Sequence, residues 1–161
     1  MLPFKIIVYL PSLMNISIER TPLDEATRQA LIELTYPVIH SMHFVHKNLG
    51  PGLPEYIYQE ALYKHLQSSG LEAVKEYKHH PVFCGERLES FVRMDLIVRL
   101  PQGNVIIECK SIAALSEKER FQTFGYLRAT EFSAALLVNF GTWPKAQIER
   151  YCFSDGLIRA F

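Results

Sequence analysis

A chain of 161 residues that is 48% hydrophobic and 21% charged can bury a core, which excludes a largely disordered protein and fits one domain. Lys plus Arg and Asp plus Glu balance at 17 each, so a uniformly basic, histone-like binder is excluded while a local basic groove is not. Three scattered cysteines with no CxxC pair argue against a zinc module and read as reduced thiols, with a cytoplasmic location as the expectation.

The first stretch, MLPFKIIVYLPSLM, is apolar, but Lys5 and Pro11 interrupt it. It falls short of the roughly 20 apolar residues a membrane helix needs, so no membrane partner is expected. Residues 1–20 read as an N-terminal extension or an extra edge strand, ahead of a single domain over 21–161. Thr21 as N-cap, Pro22 at the first helical position and Asp24 in the first turn predict a helix running toward Asn48, broken or kinked at Pro37. Leu49-Gly50-Pro51-Gly52 ends it, and Pro54 opens a second helix over 54–69, closed by Gly70. Tyr58 and Leu62 fall on the apolar stripe of that helix and read as core.

Three strands follow. Residues 72–84 give a weak signal, whereas 91–100 and 104–111 alternate. Val92, Met94, Leu96, Val98 and Leu100 share one face of the second strand, opposite Phe91, Arg93, Asp95, Ile97 and Arg99. The third places Val105, Ile107 and Cys109 on one face and Ile106, Glu108 and Lys110 on the other. Pro101-Gln102-Gly103 predicts a hairpin between them. Ser116-Glu117-Lys118-Glu119 is a capping box opening a helix to about Thr130, and Phe132 to Phe140 is an apolar strand stopped by Gly141. The tail, 144–161, adds a short helix and a strand on poor signals. The fold class is α/β: a mixed central sheet flanked by helices.

The hairpin carries the chemistry. Asp95 on one strand and Glu108 and Lys110 on the next are brought together by antiparallel pairing if they share a face. Parity decides that. Directly opposed residues must sum to an odd number, which a two- or four-residue loop gives and a three-residue loop over 101–103 does not, unless a bulge corrects it. Two nearby carboxylates favour a proton or a cation between them, and such oxygen donors suit Mg²⁺ or Mn²⁺. A neighbouring lysine can orient water and offset phosphate charge. The plainer alternative is an exposed hairpin face with a cross-strand ion pair. His40, His43 and His46, three apart, lack the HExxH pattern and read as structural or solvent-facing. His79 and His80, with Lys75, Lys78, Arg87, Arg93 and Arg99, form either a phosphate-holding rim or a solvated sheet edge.

The segment VHKNLGPGLPEYIYQEAL, 45–62, closely resembles the signature of the GxxExxY protein family through Gly52, Glu55 and Tyr58. That family belongs to the PD-(D/E)xK nuclease superfamily. Asp95, Glu108-Cys109-Lys110 and the closing LLVNFG follow in the expected order, and Gln122 and Tyr126 resemble the QxxxY motif of its lambda-exonuclease-like branch. Met94 stands where the superfamily name has Pro. The resemblance implies a restriction-endonuclease-like core of αβββαβ order and metal-dependent hydrolysis of phosphodiester bonds, in DNA by family. It implies that Asp95 and Glu108 ligate Mg²⁺ or Mn²⁺ with the Cys109 carbonyl and that Lys110 positions the nucleophilic water. Glu55 would hold a metal-bound water or a second metal, and Gln122 and Tyr126 would contact the phosphate or Lys110. The Cys109 thiol itself reads as a small buried hydrophobe. A different class stays open: a non-catalytic nucleic-acid or protein interaction module on the same fold. The oligomeric state is open as well, a homodimer included.

Overall fold

The structure is a computed structural model and describes residues 23–161; the expected N-terminal extension or edge strand over 1–20 lies outside the described residues. Two helices, α1 (Glu25–Leu49) and α2 (Glu55–Ser68), precede β1 (Glu72–His79), a small ribbon β2 (Val82–Phe83) and β3 (Glu86–Arg87), and the long strands β4 (Val92–Leu100) and β5 (Gly103–Lys110). Then come α3 (Glu117–Thr130), β6 (Ala134–Asn139), β7 (Gln147–Ser154) and β8 (Leu157–Ala160). The main sheet has six strands in the order β1-β4-β5-β6-β7-β8. Only β5 and β6 run parallel, joined through α3. The sheet is therefore mixed, with helices on both faces. On one, Val38 and Met42 of α1 and Tyr58, Leu62 and Leu66 of α2 pack on Leu96, Val98, Val105 and Ile107. On the other, Phe124 and Leu127 of α3 pack on Ile97, Ile106, Ala135 and Leu137.

The observed helix start differs from the expected one. Asp24 is the N-cap of α1, its Oδ1 accepting from the Thr27 N–H at 2.9 Å, while Thr21 and Pro22 lie outside the described residues. Asp is at least as good a cap as Thr and sits closer to the periodic stretch. Nor does Pro37 end the helix, which runs through it without interruption. Leu34, Val38, Met42 and Val45 are all buried on one face, and that packing holds the turn whose hydrogen bond Pro37 cannot make. The weak first strand stops at His79, and the rest of the segment folds back as β2 and β3, turning at Cys84 and Gly85 with φ of 51° and 84°.

The tail holds no helix: β7 and β8 form a hairpin turning at Asp155-Gly156, both at positive φ. Asp-Gly is a strong hairpin signal, and it prevails over any helical pattern there. The capping box is present as expected, with Ser116 and Glu119 bonded reciprocally.

The β4–β5 register settles the parity. Leu100 opposes Gly103, a two-residue loop of Pro101-Gln102, and the ladder continues to Leu96 opposite Ile107. Each pair sums to 203, the odd value that sets Asp95 across from Glu108. There the two strands part. Residues of β4 before Leu96 pair only with β1, and residues of β5 after Ile107 pair only with β6. The alternation of β4 slips at the same place: Met94 joins the core under α3, whereas Leu96 and Val98 join the core under α1 and α2. Across from Asp95, β1 carries Glu76 at a φ of 50°, a left-handed strand residue that breaks the β1 pairing locally. Asp95 thus stands at the mouth of a fork in the sheet.

Candidate active site

The hairpin face that carries Glu108 is not solvated. Ile97 and Ile106 on it are buried in the core under α3 and Glu108 is buried beside them, so the plainer alternative of an exposed face with an ion pair is excluded. Glu108 is 2% exposed. Its Oε1 takes a hydrogen bond from the Lys110 ammonium at 2.7 Å, along the same strand rather than across it. Its Oε2 is buried and has no hydrogen-bond partner. A buried carboxylate oxygen without a donor is an expensive arrangement unless something else fills it.

Asp95 occupies the space that β4 vacates. Its Oδ2 accepts from the Cys109 N–H at 2.9 Å, replacing a strand partner with a carboxylate. Burial pushes its carboxyl up, against the pull of the Cys109 N–H, Lys110, Gln59 and Arg93. Burial also raises Glu108, to about 7, and repulsion from Asp95 adds to the effect. The two carboxylates therefore resist sharing two negative charges. For Lys110, burial works to remove the proton, but the bond and attraction of Glu108 outweigh it and raise the ammonium above its ordinary value. Lys110 stays protonated at neutral pH and can donate and attract, not accept.

The third carboxylate arrives from α2. Glu55 is its first residue, half-buried, and its carboxyl is pushed up by burial and by Asp95 while Lys110 opposes. The loop that delivers it is fixed by Tyr58. The Tyr58 hydroxyl donates to the Gly50 carbonyl at 2.6 Å and accepts from the Leu53 N–H at 3.1 Å, and its ring stacks on Phe140 at 4.8 Å. Gly52, between these anchors, has a φ of 104°, which a residue with a side chain rarely adopts. Ser111 ties the same loop to the end of β5, donating to the Leu53 carbonyl at 2.7 Å. Gln59, which the sequence reading missed, lies one turn beyond Glu55; its amide donates to Glu55 at 3.3 Å and also reaches Asp95. The i, i+4 spacing from Glu55 was the available signal.

The far side of the fork is supported by α3 and β6. Exposed Gln122 donates to the Tyr126 hydroxyl at 2.8 Å, and Tyr126 donates to the Arg93 carbonyl at 3.0 Å. The pair therefore braces the β4 backbone two residues before Asp95, and neither residue is bonded to Lys110. Asn139, paired with Lys110, is fully buried and clamps Ile112 through both side-chain atoms, at 3.0 and 2.8 Å. Gly141 completes that clamp: a Cβ there would lie 2.5 Å from the Ile112 carbonyl oxygen. A separate pair absent from the sequence reading, Arg120 with Glu149 at 2.7 and 2.8 Å, fastens α3 to β7.

Other flagged residues disperse. His46 is buried against the Thr142 carbonyl at 2.8 Å, while His40 and His43 are exposed on α1. Of the basic rim, Arg93 and Arg99 are paired with Glu76 and Glu72 along β1, and Arg99 lies at the end of β4 away from the fork. The Cys109 side chain is buried on the α1–α2 side, its thiol raised well above its ordinary value chiefly by burial.

The donor set fits a hard divalent cation. Asp95 and Glu108 offer carboxylate oxygens, one buried and unpartnered, in a place that disfavours two uncompensated charges. Among the described residues no cluster of three or more His, Cys, Asp or Glu side chains is closed up as a metal cage. Mg²⁺ does not require one, since it keeps several waters and takes one or two carboxylates. Among the described residues no helix is long and apolar enough to cross a membrane.

Comparison with curated proteins and with solved structures yields no match. Comparison with protein families yields one that spans residues 32–151, from α1 through the fork to β7. That span includes Glu55, Asp95, Glu108, Lys110, Gln122 and Tyr126, and on it the chain belongs to the PD-(D/E)XK nuclease superfamily.

Proposed function

We propose that this protein hydrolyses phosphodiester bonds in DNA, using Mg²⁺ or Mn²⁺ held by Asp95 and Glu108 with the Cys109 carbonyl, and that it is of the GxxExxY type marked by Gly52, Glu55 and Tyr58. The observation that carries this reading is the buried, unpartnered Glu108 Oε2 beside Asp95, with the Lys110 ammonium on the other Glu108 oxygen. A divalent ion bound there would neutralise both carboxylates and stabilise the charge that develops on the phosphate. Lys110, held protonated, orients the attacking water and offsets phosphate charge. Glu55 holds a second water at the entrance, steadied by Gln59. The water oxygen forms the new bond to phosphorus as the bond to the leaving sugar oxygen breaks in line, the water's proton passing to solvent and the leaving oxygen taking one up from it. Gln122 and Tyr126 act indirectly, by keeping the β4 backbone where Asp95 can reach Cys109.

The test is a cleavage screen over single-stranded, duplex and branched DNA with Mg²⁺, Mn²⁺ or EDTA, run beside Asp95→Ala and Glu108→Ala. Both variants should fold and lose Mn²⁺ binding and cleavage together. If the wild type binds no divalent cation and substrate loss is unchanged by EDTA or by Asp95→Ala, the enzyme reading fails and a non-catalytic interaction module replaces it.

A further inference from the structure

The loop between β6 and β7 carries an exposed indole on a fixed support. Trp143 is 76% exposed. Its neighbour Thr142 is anchored three ways: its hydroxyl donates to the Lys145 carbonyl at 2.7 Å and accepts from the Gln147 N–H at 3.0 Å, and its carbonyl meets buried His46 at 2.8 Å. Trp143 lines a cavity of about 450 Å³ together with His43, Lys47 and Lys145. An adjoining cavity of about 380 Å³ shares His43 and Lys145 and adds Arg150. No carboxylate lines either one, and among the described residues Lys47, Lys145 and Arg150 have no acidic partner. In a chain whose charges balance at 17 each, that is a segregated positive face.

The loop that carries Trp143 leaves the same end of the sheet as the fork. Asn139 pairs with Lys110, and Trp143 follows Asn139 by four residues, so at most roughly 14 Å of chain separates them. A third cavity, lined by Leu53, Ser111 and Gly141, lies beside the same loops.

We propose that this face binds a single-stranded stretch of the nucleic-acid substrate, with a base stacked on Trp143 and backbone phosphates on Lys47, Lys145 and Arg150. Cations alone would hold duplex and single strand alike. The exposed ring separates the two, because a base offers its π-face only when it is unstacked from its neighbours. The proposal rests on the nuclease reading for what happens to the strand, but binding is measured without cleavage.

Trp143 is the only tryptophan of the chain, so its fluorescence reports the contact directly. The full chain in EDTA is titrated with a labelled thymidine oligonucleotide, following tryptophan emission and label anisotropy together. Saturable quenching that tracks the anisotropy is expected, weakened by salt, with a duplex of equal length binding less tightly. Trp143→Leu should weaken binding roughly tenfold or more. Lys145→Ala should weaken it and lower the salt slope by about 1. Anisotropy without quenching, unchanged affinity in Trp143→Leu, or no binding at all would overturn the proposal. Quenching without Mn²⁺-dependent cleavage would leave this face standing and remove the nuclease reading. Cleavage of single-stranded DNA that is indifferent to Trp143→Leu would do the reverse.

Discussion

Replacing Glu108 by Gln tests the electrostatics of the fork apart from its chemistry. In the folded chain the Glu108 carboxyl is raised to about 7 from its ordinary 4.5. Between those values the folded state binds more protons than the unfolded one. Stability in EDTA therefore falls as pH rises from about 4.5 to about 7 and is level above that. Asp95, also raised, contributes in the same direction. The interval corresponds to about 3 kcal/mol for Glu108, as an upper figure because the two carboxylates titrate together. Gln has nearly the shape of protonated Glu and no charge to bury, so Glu108→Gln should lose the Glu108 part of this slope and keep only that of Asp95. Near pH 5 the two proteins should melt close together. At pH 8 the variant should melt higher by up to about 6–12 °C for a chain of this size. Saturating Mn²⁺ should close the gap at pH 8 by stabilising only the wild type, and should do little at pH 5, where protons hold the oxygens. The measurement is thermal or urea unfolding at several pH values, with and without the ion. Coincident melting at pH 8 in EDTA, or a Gln variant less stable at every pH, would refute the argument that Glu108 is held against its preference for the neutral form.

Lys110→Ala should retain Mn²⁺ binding, tighter with one cation removed, while cleavage falls by roughly 10²-fold, as single-turnover assays would register. Gln122→Ala and Tyr126→Phe should give smaller losses, since their hydrogen bonds end on the Arg93 carbonyl rather than on the substrate. Tyr58→Phe leaves the Gly50 carbonyl and the Leu53 N–H without their partner, which should cost about 2 kcal/mol in urea unfolding and lower cleavage through a displaced Glu55. Restored stability without restored cleavage in a Tyr58→Phe background carrying an unrelated stabilising change would show that the loop position, not the fold, limits the rate.

The parts of the site that could be read from the sequence are those with local periodicity. Alternation placed Ile106, Glu108 and Lys110 on one side of β5, and parity arithmetic reduced the hairpin to a few loops, of which the two-residue one is found. The capping box set the start of α3 because both its partners lie within one turn. What escaped depends on distant packing. Met94 and Leu96 read as one face, yet they enter different cores because β4 leaves β5 at Asp95, and nothing local in the sequence marks that departure. The face expected to be polar is roofed by α3, a contact between elements that periodicity within either cannot reveal. Pro37 misled because tertiary burial outweighs a missing backbone bond. Asp155-Gly156 was a legible signal left unused.

The fork also fixes when the protein acquires its chemistry. Its groups come from α2, β4 and β5, and the end of β5 is clamped by Asn139 and Gly141, which follow α3. The β5–β6 pairing is parallel, so it forms only after a long crossover has been made and folded back. A chain emerging from the ribosome therefore carries every acidic group of the fork well before it has a working arrangement of them. A fragment ending at Thr130 should bind no Mn²⁺, whereas the full chain should. Synthesis order thus delays assembly of the fork until β6 has paired with β5.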